Sequence, residues 1–232
     1  MARGKQLLSL IAQLRAETGR TQNVAVGVNE VENLKVVLAR VQETLYEDHQ
    51  WEHMNVERTI TLAAGTRYYD LPSDLNFDRI MEMKLRYNTV YVELERGIGF
   101  DEYSVFDSNA STPERSWPTQ NWDVRFTGTT EQLEYWPIPN QAGTAYIRGT
   151  KVLGDLIQEE DTADLDDRLI VLFAAAEILS RQKSNDAKVK LGMAEKRLSQ
   201  LMKNAVGPTK PVQIGLGSKN KPDHNRTRVI VS

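Results

Sequence analysis

Hydrophobic positions along the 232-residue chain change their period twice. Leu7, Leu8, Ile11 and Leu14 recur at three- and four-residue steps, which predicts an amphipathic helix over about residues 5–17, ended by Gly19. Val31, Leu34, Leu38, Val41 and Leu45 repeat the step and predict a second helix reaching about Asp48. Asn29 is placed to cap it, with Glu32 three residues on as the capping-box partner. From Val56 the period becomes two. Ile60 and Leu62 alternate with Thr59 and Thr61, and Ala63-Ala-Gly-Thr66 turns the chain into residues 67–72, the pattern of a β-hairpin. Residues 79–86, 90–94, 123–127, 132–136 and 145–152 read as further strands, with a helical turn at about 100–106 and a Pro-, Ser- and Thr-rich loop at 108–120 between them.

The helical period then returns. Leu165, Leu169, Leu172, Phe173, Ala176 and Leu179 share one face. Ala187, Leu191, Ala194, Leu198, Leu201 and Ala205 stand at heptad spacing in a last helix over residues 186–205, whose opposite face is basic. The stretch 155–167 holds seven carboxylates and no base, and it puts Asp164, Asp166 and Asp167 where a helix N-terminus favours negative charge. After Gly207 the periodicity stops, and the last 26 residues, with three Gly, three Pro and five Lys and Arg against one Asp, cannot build a core of their own. They end in Arg226-Thr-Arg-Val-Ile-Val-Ser232, a β-branched strand former suited to adding an edge strand or threading a groove on another protein.

This order predicts an α+β fold with an antiparallel α-helical bundle built from residues 1–54 and 155–206. Residues 55–154 form a small antiparallel β sandwich or barrel-like module inserted into it, and residues 207–232 an extended C-terminal arm. The aromatic residues follow the same division, since 16 of the 17 Phe, Trp and Tyr lie between Tyr46 and Tyr146.

Composition narrows the chemistry. The chain has no cysteine, which removes disulfides, thiolate metal sites and Cys nucleophiles. No apolar run approaches the roughly 20 residues that cross a bilayer, so no membrane partner is expected. The N-terminus lacks the small-residue cleavage site of a secretory signal, and the expected setting is a cytoplasm. The net charge of −3 conceals a polarity: residues 181–232 hold twelve Lys and Arg against three Asp and Glu, leaving −12 on the rest.

Three groups of residues are candidates for binding or catalysis. His49-Gln-Trp-Glu-His53 matches the H-x-x-E-H arrangement of a zinc-dependent hydrolase, in which two imidazoles hold the metal and the Glu acts on bound water. That reading needs a helix continuous through Trp51 and a third ligand, and the remaining imidazole, His224, lies in the arm. Asp161, Asp164, Asp166 and Asp167 lack the Gly and terminal Glu of a calcium loop. Trp117, Trp122, Tyr135 and Trp136 offer stacking faces for a single-stranded nucleic-acid-binding module, but stand among Glu, Gln, Asn and Pro with only Arg115 and Arg125 near. No cofactor-binding motif is present, and the expectation is a protein without catalytic, cofactor or metal residues.

The succession of elements resembles the head-to-tail adaptors of tailed bacteriophages, including the tail tubular protein A group of short-tailed phages. The segments that carry it are Asn33-Leu-Lys-Val-Val-Leu-Ala-Arg-Val-Gln-Glu-Thr-Leu-Tyr46 running into Trp51, and Tyr69-Asp-Leu-Pro-Ser-Asp74. Leu133-Glu-Tyr-Trp-Pro-Ile-Pro139 and the two helices over residues 169–181 and 186–205 complete it. The resemblance implies a non-enzymatic structural protein of the virion. It would form a ring, typically of twelve copies, docked under the portal protein at the head–tail junction and presenting a platform for the tail tube or nozzle, with double-stranded DNA passing through the lumen. In such adaptors an extended C-terminal segment grips the portal, which assigns that contact here to Arg226, Arg228, Val229, Ile230 and Val231.

Overall fold

The computed structural model describes residues 3–21, 28–105 and 112–205. Among them are five helices, α1 (Leu7–Glu17), α2 (Val28–Asp48), α3 (Phe100–Val105), α4 (Asp167–Arg181) and α5 (Asp186–Ala205). The strands are β1 (Asn55–Leu62), β2 (Tyr68–Tyr69), β3 (Leu75–Tyr87), β4 (Val90–Glu93), β5 (Glu95–Arg96), β6 (Asn121–Phe126), β7 (Glu131–Trp136) and β8 (Gly143–Lys151). The fold is α+β, with the strands enclosed between α2 and α4 in sequence.

The strands make two four-stranded sheets, ordered β1-β8-β3-β4 and β2-β7-β6-β5. Their inner faces meet over Ile60, Leu62, Met83, Leu85, Ala145 and Ile147 from the first and Trp122, Leu133 and Tyr135 from the second, all buried. Apolar residues at every second position in β1, β3 and β8 produce that face, as the pleat requires. The sheets differ from the sequence expectation in two respects. The residues after Thr66 do not pair with β1: β1 pairs with β8, while β2 pairs with β7 in the other sheet. The turn itself forms, held by the Tyr69 hydroxyl, which donates to the Ala63 carbonyl at 3.0 Å and accepts from the Ala63 N–H at 2.8 Å. It carries the chain across the sandwich rather than back along β1. The sheets are also not wholly antiparallel, since β5 runs parallel to β6.

The helices enclose a second core. α4 is apolar nearly all round, with Leu169, Ile170, Val171, Leu172, Ala174 and Ala175 buried, because α1, α2 and α5 surround it. Asp166 caps its start by accepting from the Leu169 N–H at 3.0 Å. The N-terminal stripe is shifted relative to expectation. Leu10 is fully buried while Leu8 is 48% exposed. α2 begins at Val28, so Asn29 lies inside the helix rather than at its cap.

Side chains join the two cores. Arg79, on β3, donates to the Glu47 carbonyl at the end of α2 (2.8 Å) and to the His49 carbonyl just beyond it (3.1 Å), and its guanidinium lies 4.3 Å from the centre of the Tyr46 ring. Those carbonyls have no partner within the helix, and a cation suits the negative end of its dipole. Tyr46 in turn donates to the Lys151 carbonyl at 2.9 Å. The buried Gln42 donates to the Gly154 carbonyl and accepts from the Asp164 N–H.

Candidate docking surfaces

The arm residues Arg226, Arg228, Val229, Ile230 and Val231, and with them His224, lie outside the described residues. α5 leads directly to them. Its basic face is only partly free: Arg197 forms a 2.6 Å ion pair with the buried Asp166, and Lys190 pairs with Glu17. Lys188, Lys196 and Lys203 remain exposed. Asp166 thus holds the start of α4 twice, through its cap and through Arg197.

The H-x-x-E-H residues do not share a helical face. α2 stops at Asp48, and after Trp51 the chain makes a single tight turn over Glu52–Met54 before entering β1. Trp51 is buried between the two imidazoles, edge-on to each at about 6 Å, and donates to the Leu45 carbonyl at 2.9 Å. His53 donates through Nε2 to the Asp164 carbonyl at 3.0 Å, and burial lowers its pKa below the ordinary 6.5. These contacts make the segment a junction between α2, β1 and the turn before α4. Among the described residues no three His, Asp or Glu side chains stand together as a metal site.

The aromatic residues of the second sheet are placed by packing. Trp122 and Tyr135 lie in the sandwich core, and Trp136 is buried on the outer face beneath Tyr103 of α3. Beside them stands a buried carboxylate that the periodicity of the chain did not reveal. Glu134 is fully buried and accepts from Arg67 (2.7 Å), Arg125 (2.8 Å) and the Tyr103 hydroxyl (2.9 Å). Its bond holds the Arg125 guanidinium above its ordinary pKa, and burial raises that of Tyr103. The signal was a lone acid between Leu133 and Tyr135-Trp136, a position where a charge must be paired. Above this network opens a cleft of about 610 Å³, at whose mouth stand Tyr68, Phe100 and Phe126.

A second hollow, of about 540 Å³, lies between α2, α4 and α5 and is lined by Val41, Leu45, Phe173, Ala176, Leu191 and Leu198. Leu191, expected in the buried stripe of α5, is 41% exposed along its wall. No described helix is long and apolar enough to cross a membrane.

No curated protein matches the chain. The model of the SU10 adaptor protein family matches residues 5–213, which takes in both helical segments, the whole sandwich and the start of the arm. The chain belongs to that family, the structural adaptors of bacteriophage virions.

Proposed function

We propose that the protein is a ring-forming head-to-tail adaptor, twelve copies of which dock under the portal and connect it to the tail tube or nozzle. The family match over residues 5–213 carries this reading. The ring assembles in the host cytoplasm and stays at the head–tail junction of the virion. It needs no cofactor and performs no catalysis.

The charge distribution suits both tasks. A lumen dense with fixed cations would hold phosphates and brake a sliding duplex, whereas residues 1–180, at −12, supply a wall that does not. The arm is basic and ends in β-branched residues, so Arg226 and Arg228 meet acidic groups on the portal while Val229, Ile230 and Val231 pack or pair as a strand. Sedimentation of the portal with wild-type chain and with the Arg226→Glu/Arg228→Glu variant tests the assignment. Wild type should co-sediment and the variant should not; equal binding of the two would remove these arginines from the contact.

A further inference from the structure

The two ends of α4 carry opposite charge. Ahead of its start the chain makes a turn over residues 157–161. The Asp161 carboxylate closes it by accepting from the N–H groups of Ile157 (2.8 Å) and Gln158 (2.6 Å), and the carbonyls of Asp161 and Glu159 accept from the N–H groups of Leu7 and Leu8 at the start of α1. The turn is thereby fixed in place. It presents Ile157, 61% exposed, among the exposed side chains of Asp155, Glu159 and Glu160. Seven carboxylates over residues 155–167 outnumber the five cations set beside them, Arg3, Lys5, Lys151, Arg168 and Arg197. Lys151 and Arg197 are committed to Asp164 and Asp166, away from the turn.

At the far end of α4 a third hollow, of about 440 Å³, opens between the first half of α2 and residues Ile178, Arg181 and Gln182. Arg20, Arg40 and Arg181 stand around it, and Val36, 63% exposed, forms part of its apolar wall. Arg20 pairs with Glu30, while Arg40 and Arg181 share the single oxygen Oε1 of Glu177, which leaves one cation in excess. Residues 22–27, between Arg20 and Glu30 in sequence, contain no acid that could balance it. The 15 residues of α4, about 22 Å, separate the turn from the hollow, so the turn cannot enter the hollow of its own chain. A closed ring of identical copies requires a heterologous contact, in which two different patches of one chain fit each other. We infer that the acidic turn of one copy seats on the arginine hollow of the next, with Ile157 against Val36 and with Glu159 and Glu160 beside Arg40 and Arg181. This assignment rests on the ring reading and specifies which surfaces close it.

Because the chain has no cysteine, thiols can be introduced singly or as one defined pair. The test assembles the full chain on the portal and treats it with a short bismaleimide. A chain carrying both Ile157→Cys and Val36→Cys should give a ladder of covalent multimers up to the full ring, while each single variant should give none beyond a dimer. Adding Glu159→Lys/Glu160→Lys to the double-cysteine chain should abolish the ladder, and so should adding Arg40→Glu/Arg181→Glu. A mixture of the two reversed chains should restore it, because each turn then finds a hollow of opposite charge, and that restoration separates a lost contact from a lost fold. Several wild-type copies on each portal with no ladder from the double-cysteine chain, a ladder indifferent to both reversals, or a loss that mixing does not restore would overturn this contact and leave the ring reading intact. A single wild-type copy per portal would overturn the ring reading and the contact together.

Discussion

Glu134 is the residue whose environment most constrains the sandwich. Its carboxylate is fully buried and its two arginine partners are partly so, which makes the network stable only while complete. Replacing Glu134 by Ala leaves Arg67 without a counter-charge and Arg125 with only its longer pair to Asp123 at 3.5 Å, and should cost about 3 kcal/mol, measured by urea unfolding. Gly143 carries a different constraint. A Cβ there would lie 1.9 Å from the Trp117 ring, so Gly143→Ala forces the ring aside and should cost about 1–3 kcal/mol by the same measurement. His53 contributes a pH dependence. Its folded pKa is lowered by burial, so the unfolded chain binds more protons, and stability should fall as pH drops below 6.5. A His53→Gln chain keeps a donor for the Asp164 carbonyl and should show a shallower loss of thermal midpoint over that range.

At the scale of elements, the joints between helices and sheets rest on a few long side chains. Arg79→Ala removes two bonds to the end of α2 and the stacking on Tyr46, and should lower stability by about 2 kcal/mol in chemical denaturation. Asp166→Asn should retain the cap on α4 and lose the charge pair with Arg197, whereas Asp166→Ala should lose both and unfold at lower denaturant. Such joints explain what was legible beforehand. The last helix begins and ends where its heptad and its flanks predict, at Asp186 and Ala205, and the strands of the sandwich follow their alternation. Alternation reports only which face of a strand is covered. It does not say which sheet the strand joins, and so β1 and the strand after Ala63-Ala-Gly-Thr66 read as a hairpin although they lie in opposite sheets. Leu191 was misplaced for a related reason, because a heptad position is buried only where a neighbour covers it, and Leu191 stands on the open wall of the hollow between α2, α4 and α5.

On the scale of the whole molecule, a charge-polarised chain with no cysteine and no assembled metal cluster among its described residues belongs to a family of phage adaptors. That identity was legible in the order of elements, whereas the two hollows were not. One hollow joins residues far apart in sequence, from Val41 to Leu198, and the cleft above Glu134 joins α3 to the end of β6. Neither produces a local motif, and both arise only when the two cores are assembled. The central claim is that this chain docks as a ring on a portal through its basic arm. The native mass of purified portal mixed with full-length chain, and with a chain ending at Val206, tests it most directly. Full-length protein should add twelve copies to each portal and the shortened chain none; equal loading of the two, or no loading of either, would contradict the account.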